Sequence, residues 1–385
     1  MRTSPINEKK VHAFLDGLFG EDLHAKRVLS LSLATLGAVH AASLSVYAIG
    51  RALALARGTQ GKHGVKQVDR LLSNTGIDVW HLLALWVPYV LGQRTEAVVS
   101  LDWTDFEADD QTTLVAALKT RHGRSTPLVW LTVQKSALKG LRNEVEDSVL
   151  LRLRELIAPE VKVTILADRG FADQKLYALL GPLGFEYVIR FRQCITVTTA
   201  RGERRPAAEW VPASGRAVRL KAARVTDDEA PVGAVVLVKK KGMKEPWCLA
   251  TSLSAASASQ VVALYSRRFR TEESFRDIKD LRFGMGLSAM SITEPERRDR
   301  LLLVCALALA LALLTLLGEA GERLGMERYL KANTVKKRSY SLFRQGCFYY
   351  QALPMMPEAR LQPLMELFGQ LVREQPVFRE AFGVI

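Results

Sequence analysis

VKVTILADRGF, residues 161–171, reads as a strand that runs into a carboxylate and then a turn. Val161 to Ala167 is aliphatic and β-branched, and Arg169-Gly170 supplies the turn chemistry that stops a strand. Asp168 therefore stands at the C-terminal edge of a sheet, the edge at which sites of α/β folds gather. A turn-starting residue is the plain alternative for Asp168. Asp173 reads as the N-cap of a helix expected at 173–181. FEYVIRF, 185–191, is the next strand, so the segment is strand–helix–strand and the fold class is α/β.

Working outward, AVVSLDW (97–103) and PLVWLTV (127–133) also have strand character, and a helix is expected at 142–157. Asp102 lies inside the first of these apolar strands, where a carboxylate is tolerated only beside a cation or a hydrogen-bond donor. Asp105, Asp109 and Asp110 follow it and read as solvated loop acids. Upstream, helical periodicity marks 7–19, 22–36, 40–56, 65–74 and 78–92, with GTQGKHG (58–64) dividing them into two groups. Residues 193–253 change to short Thr-, Val- and Gly-containing strands, including a hairpin with its tip at 239–244. Helices are expected again at 257–280, 296–322 and 358–373.

The helix at 257–280 contains YSRRFRTEESFRDIK (265–279), with two adjacent glutamates. At about 100° per residue, Ser266, Arg267, Arg270, Glu273, Ser274 and Asp277 share a polar sector that reads as a solvent face. Val261, Val262, Leu264, Phe269 and Phe275 form the opposite, apolar side, yet Tyr265, Arg268, Glu272 and Lys279 fall in its middle. Their spacings of three, four and seven place them in one line along a helix. Buried charge is costly unless paired or opened onto a site, so Glu272 is the informative glutamate and Glu273 the ordinary one. Within this segment alone, an Arg268–Glu272 ion pair packed by Tyr265 and the Lys279 stem would serve equally well.

The chain has 385 residues, 54 Lys and Arg against 40 Asp and Glu, and a formal charge of +14, which points to a polyanionic partner, nucleic acid first. Its four cysteines show no C-x-x-C spacing, which disfavours a disulfide framework or a zinc site and suggests a cytoplasmic protein. The uncharged run 301–318 approaches the length of a membrane span, but its Leu/Ala alternation and charged flanks favour a buried core helix. Two strand-borne aspartates and a helix-borne glutamate form an oxygen-only set suited to Mg²⁺ or Mn²⁺ and to phosphoryl transfer on nucleic acid. All six histidines lie at or before His122, so a histidine-based hydrolase is disfavoured.

These residues together resemble the DDE transposases of the IS4 family, cut-and-paste enzymes of bacterial insertion sequences with an RNase H-like core. The family signature is Tyr-x2-Arg-x3-Glu-x6-Lys, complete here as Tyr265, Arg268, Glu272 and Lys279. Asp102 in LDWTDF and Asp168 in ILADRGF stand for its two aspartates, and the long interval before Glu272 suits the family's β-rich insertion. The likeness covers about 95–320 well; upstream it is confined to composition and KQVDRLLSN (66–74).

The resemblance implies an N-terminal helical DNA-binding region (1–93), an RNase H-like core in two parts (94–192 and 254–322) around the β-rich insertion (193–253), and a C-terminal helical region (323–385). It implies that Asp102, Asp168 and Glu272 hold Mg²⁺, with Mn²⁺ able to substitute, and that Tyr265, Arg268 and Lys279 grip DNA phosphates. Trp247 would stack a flipped base if a hairpin intermediate is used, although Trp210 is a rival and an interior strand role is open. The expected partners are double-stranded DNA with terminal inverted repeats, target DNA and a second copy in a homodimer, acting at the bacterial nucleoid and not at a membrane. An RNase H-like nuclease without strand transfer, or a catalytically dead DNA-binding derivative, are the alternatives.

Overall fold

The computed structural model describes residues 8–119, 125–268, 276–280, 284–308, 310–331, 334 and 338–374. It begins with five helices: α1 (Glu8–Phe19), α2 (Ala25–Ala41), α3 (Val46–Arg57), α4 (Gly61–Leu72) and α5 (Val79–Leu91). Local chemistry sets their ends. The Ser45 hydroxyl accepts from the Ala48 N–H to start α3, Asp78 accepts from the His81 N–H to start α5, and Gly58 closes α3 in the left-handed region at φ +64°. The glycine-rich stretch 58–64 is only partly a break, because Gly61 opens α4 and Gly64 lies within it. A Cβ on Gly64 would sit 2.1 Å from the Gly50 carbonyl oxygen, so bare backbone at both positions lets α3 and α4 touch.

The next elements are β1 (Glu96–Phe106), β2 (Gln111–Lys119), β3 (Ser125–Gln134), α6 (Arg142–Leu156), β4 (Lys162–Ala167), α7 (Gln174–Leu180) and β5 (Phe185–Phe191). β6 (Thr196–Thr198), β7 (Arg204–Pro206), β8 (Val218–Lys221), β9 (Arg224–Val225), β10 (Ala230–Pro231), β11 (Ala234–Val238) and β12 (Trp247–Thr251) follow. The main mixed sheet has the order β3-β2-β1-β4-β5-β12-β11-β8. β1, β2 and β3 form an antiparallel meander, β4 and β5 run parallel to β1, and β12 joins β5 antiparallel. The expected hairpin is present as β11–β12, with Val238 opposite Trp247. The β-rich segment thus divides: three of its strands widen the main sheet, and β6, β7, β9 and β10 make a separate small one.

The pleat sorts the two faces of this sheet. Ala97, Val99 and Leu101 of β1 join the large core with Val149, Leu150 and Leu153 of α6. On the other face Leu166, Val188, Val236, Val238 and Leu249 pack against Val261, Val262 and Tyr265 of α8 (Ala258–Ser266), which starts with a Ser257–Gln260 capping box. The single helix expected over 257–280 is corrected: α8 ends at Ser266, Arg267 and Arg268 form a turn, and helix is present again at 276–279. The Lys119 ammonium reaches the Arg268 carbonyl at 3.4 Å, a tertiary partner for the helix end that local periodicity does not reveal. Asp277, expected on a solvent face, is buried.

α9 (Pro295–Ala308) and α10 (Ala310–Arg323) share the apolar run 301–318; α11 (Leu342–Ala352) and α12 (Glu358–Arg373) follow. No single described helix is long and apolar enough to cross a membrane. The start of α9 is a bolt between the helical region and the sheet. Arg297 pairs with Asp69 at 2.6 Å and reaches Ser73, while Arg300 donates to the carbonyls of Leu72 (2.8 Å) and Ile77 (2.9 Å). Between them, Arg298 pairs with Asp109 and donates to Gln111 at 2.7 Å, and Asp299 accepts from the Thr132 hydroxyl at 2.6 Å. Asp109 is therefore a buried partner of Arg298, not the solvated acid expected from its loop setting. Burial pushes the Asp299 carboxyl up to about 7, against the opposing pull of its Thr132 hydrogen bonds.

Candidate active site

Parallel register brings the two aspartates together. Ser100 pairs with Leu166 and Leu101 with Ala167, so Asp102 and Asp168 each lie one residue beyond the last registered pair of β1 and β4. Neighbouring strands are about 4.8 Å apart, and the two residues follow Ser100 and Leu166 by two, so both belong to the face that α8 covers. The row continues across the sheet, because Ala167 is level with Ile189 and Arg190 with Leu249. Asp102, Asp168 and Arg190 thus form a charged margin beyond the apolar contact of α8. Trp103, the next residue on β1, confirms the pleat by pointing the other way: its Nε1–H donates to Glu146 of α6 at 2.8 Å.

α8 and the turn after it deliver the basic and aromatic groups. Arg268 pairs with Asp102 at 3.0 Å, with side-chain exposures of only 7% and 14%. Its guanidinium also hydrogen-bonds the buried Tyr265 hydroxyl, and burial raises the Tyr265 pKa while Arg268 and Arg190 pull it down. Lys279 lies farther along β1, where its ammonium donates to the Asp105 carbonyl and sits 5.0 Å from the Phe106 ring centroid. Burial lowers the Lys279 pKa, opposed by Asp105. Arg268 and Lys279 thus both reach β1, at Asp102 and at Asp105–Phe106, and Arg268 in turn holds Tyr265, although Arg268 lies in the turn that follows α8. Glu272 lies outside the described residues, as do Glu273, Phe269 and Phe275.

The Asp168 loop is fastened to the segment that enters β12. Asp168 Oδ1 accepts the Gly170 N–H at 2.7 Å, and a Cβ on Gly170 would be 3.0 Å from that same oxygen. Arg169 and Arg190 both pair with Glu245, at 3.0 and 2.9 Å, which anchors the segment leading into Trp247. Trp247 packs edge-on against Tyr265 with ring centroids 5.0 Å apart. Trp210 is elsewhere, under the Arg205 guanidinium at 4.2 Å. Asp173 caps α7 as expected, accepting the Lys175 N–H.

Arg190, Glu245, Arg142 and Glu146 escaped sequence reasoning. Glu146 had the one available signal, an acid on the apolar stripe of a helix beside Val149, Leu150 and Leu153. Burial raises its pKa, while Trp103 and Arg142 donate hydrogen bonds to it.

Two carboxylates level on adjacent strands repel unless a cation lies between or beside them, and oxygen donors of this kind suit a hard divalent ion. Arg268 supplies that positive charge here. Among the described residues no three acidic, histidine or cysteine side chains gather into a metal cluster. No curated protein matches the chain. A family model, the transposase DDE domain, matches residues 94–311, a span that begins just before β1 and ends within α10 and so contains the whole charged margin. The chain belongs to the DDE transposases, enzymes of DNA phosphoryl transfer that use divalent metals.

Proposed function

We propose that this chain is an IS4-type transposase that excises and integrates an insertion sequence by phosphodiester hydrolysis and strand transfer at the element's ends. The observation that carries this reading is the level placement of Asp102 and Asp168 on parallel strands, with Arg268 of the Tyr-Arg-Glu-Lys series already seated on Asp102. The strand order β3-β2-β1-β4-β5, continued by strands of the β-rich segment, supports an RNase H-like core interrupted by an insertion. Asp102, Asp168 and Glu272 would hold the divalent ions, Mg²⁺ first, and those ions would supply the stabilisation of attacking and leaving oxygens that in-line displacement requires.

The chain's own groups do the positioning. Arg268 keeps Asp102 compensated before substrate arrives, and its planar fork can then take a phosphate in two hydrogen bonds. Lys279, held at the far end of β1, offers a point charge to the next phosphate. Trp247, braced edge-on by Tyr265, would present its ring to a base flipped out during hairpin formation. Residues 1–93 would read the terminal inverted repeats, two copies would bridge two ends, and the enzyme would act at the nucleoid.

Incubation of the purified protein with linear DNA carrying the element's ends, in Mg²⁺ or in EDTA, tests this. Metal-dependent hairpinned or excised products are expected, and Glu272→Gln should abolish them while DNA binding survives and Glu273→Gln stays active. Nicking without joined or hairpinned products would favour a plain nuclease, and a mobility shift without any cleavage a catalytically dead derivative.

A further inference from the structure

Trp103, Arg142 and Glu146 form a polar cluster on the α6 side of the sheet, behind the catalytic margin. Topology brings them there. β3 and β4 both run in the direction of β1, so the helix that joins them, α6, returns the opposite way and starts at the edge where β1 and β4 end. Its first residues lie beside Trp103, which follows Asp102, and beside the loop 168–173, which begins with Asp168.

Those residues touch both strand ends. Glu146 is only 4% exposed, and its Oε1 accepts from the Trp103 Nε1–H at 2.8 Å and from the Arg142 Nε–H at 3.0 Å. The Arg142 guanidinium also lies 5.2 Å from the centre of the Trp103 ring. Fixed in this way, Arg142 reaches the loop, with its Nη2 3.8 Å from the point a Cβ on Gly170 would occupy. Gly170 is the residue whose N–H donates to Asp168 Oδ1. Asn143 holds the other end of the loop, donating to Asp173 Oδ2 at 2.8 Å, while Asp173 Oδ1 caps α7.

A buried carboxylate is costly, and Val149, Leu150 and Leu153 show what this stripe of α6 buries for packing alone. An aliphatic side chain at 146 would fill the space but orient neither donor. The β1–β4 ladder ends at Leu101 and Ala167, so it sets the register of the two acids but not the course of the chain after Ala167. That course is what α6 touches. Among the described residues Asp168 Oδ2 takes no hydrogen bond, so the Gly170 contact commits one oxygen and leaves the other.

We infer that Glu146 and Arg142 are positioning residues for the divalent-ion chemistry of this site. Glu146 locks Arg142 against Trp103, and Arg142 with Asn143 holds the loop 168–173 so that Asp168 keeps Oδ1 on Gly170 and offers Oδ2 to the ion. In this role neither Glu146 nor Arg142 touches the ion or the DNA. The inference rests on the proposed transposase function for the use of that ion, but it can fail separately.

The test is a Mg²⁺ titration of the melting point of the full chain without DNA, in which the ion response is the part lost in Asp168→Asn. Groups that support a ligand from behind typically change ion affinity by about 10- to 100-fold, so Arg142→Ala and Glu146→Ala should each move the midpoint to at least about 10-fold higher Mg²⁺. Glu146→Gln, which retains an acceptor oxygen for both donors, should recover most of the affinity. Val149→Ala, which opens a cavity under the same helix, should lower the melting point yet keep the wild-type midpoint. Arg142 is half-exposed, so its alanine variant decides the matter even if Glu146→Ala fails to fold. A wild-type midpoint in Arg142→Ala, a shift in Val149→Ala as large as in Arg142→Ala, or no ion response from the wild type would overturn the assignment. Midpoints shifted as described, with no Mg²⁺-dependent cleavage of end-bearing DNA by the wild type, would uphold it and count against the transposase reading alone.

Discussion

Removing Arg268 should expose the electrostatic cost of the site it guards. The Arg268–Asp102 pair is nearly sequestered from water, and Asp168 is level with Asp102 on the adjoining strand. Two unit charges about 5 Å apart at an effective dielectric of about 20 repel by roughly 3 kcal/mol. Breaking a buried pair from one side typically costs about 3–5 kcal/mol. Arg268→Ala should therefore lower stability by about 3 kcal/mol without divalent ions, seen as a melting point several degrees down. Mg²⁺ should raise the melting point of the variant more than that of the wild type, because the cation then faces no guanidinium at Asp102. Asp102→Asn in the same chain should recover most of the loss and remove the extra response. Calorimetric melts of the three proteins, with and without Mg²⁺, decide the matter. If Arg268→Ala melts like the wild type, or if all three respond equally to Mg²⁺, then Arg268 is not compensating a cation site.

Asp299 has a folded-state carboxyl pKa near 7 against an ordinary value of 3.8, so the folded chain holds a proton that the unfolded chain releases. The stability this contributes is complete below about pH 4 and is lost as pH rises towards 7; Asp299→Asn should flatten that part of a stability–pH profile, as followed by denaturant melts. Gly64→Ala should push α3 off α4 and cost about 1–3 kcal/mol, whereas Gly17→Ala, where an added Cβ meets nothing within 4 Å, should not destabilise, a contrast for thermal melts. Trp247→Ala should slow hairpin formation by roughly 5- to 150-fold, the worth of one stacked base, while Trp210→Ala should leave the rate near wild type in a gel assay of end cleavage; the reverse order would move the stacking role to Trp210.

How much of this was legible depended on whether the cause was local. The strands carrying Asp102 and Asp168 announced themselves through β-branched runs, and FEYVIRF was found to the residue. β2 escaped, because QTTLVAALK is buried along nearly its whole length and so lacks the alternation that marks a half-exposed strand. The spacing of Tyr265, Arg268 and Lys279 was ascribed to one continuous helix, whereas α8 ends at Ser266, a turn follows at 267–268 and the Arg268 carbonyl meets Lys119, 149 residues away in sequence. Asp109 and Asp277 were misjudged for the same reason. Their surroundings are made by segments distant in sequence, and a charged letter in a polar neighbourhood gives no hint of the arginine or backbone that will enclose it.

The ladder between β1 and β4 has a further consequence. Side chains alternate strictly along both strands, so sliding β4 by one position would not displace Asp168 slightly but carry it through to the opposite surface, against α6. The distance between the two acids is thus quantised by backbone hydrogen bonding, not tuned by flexible side chains. Folding either sets the pair correctly or leaves an aspartate in the oily interior, and that penalty makes the misaligned chain unable to persist as a half-working enzyme.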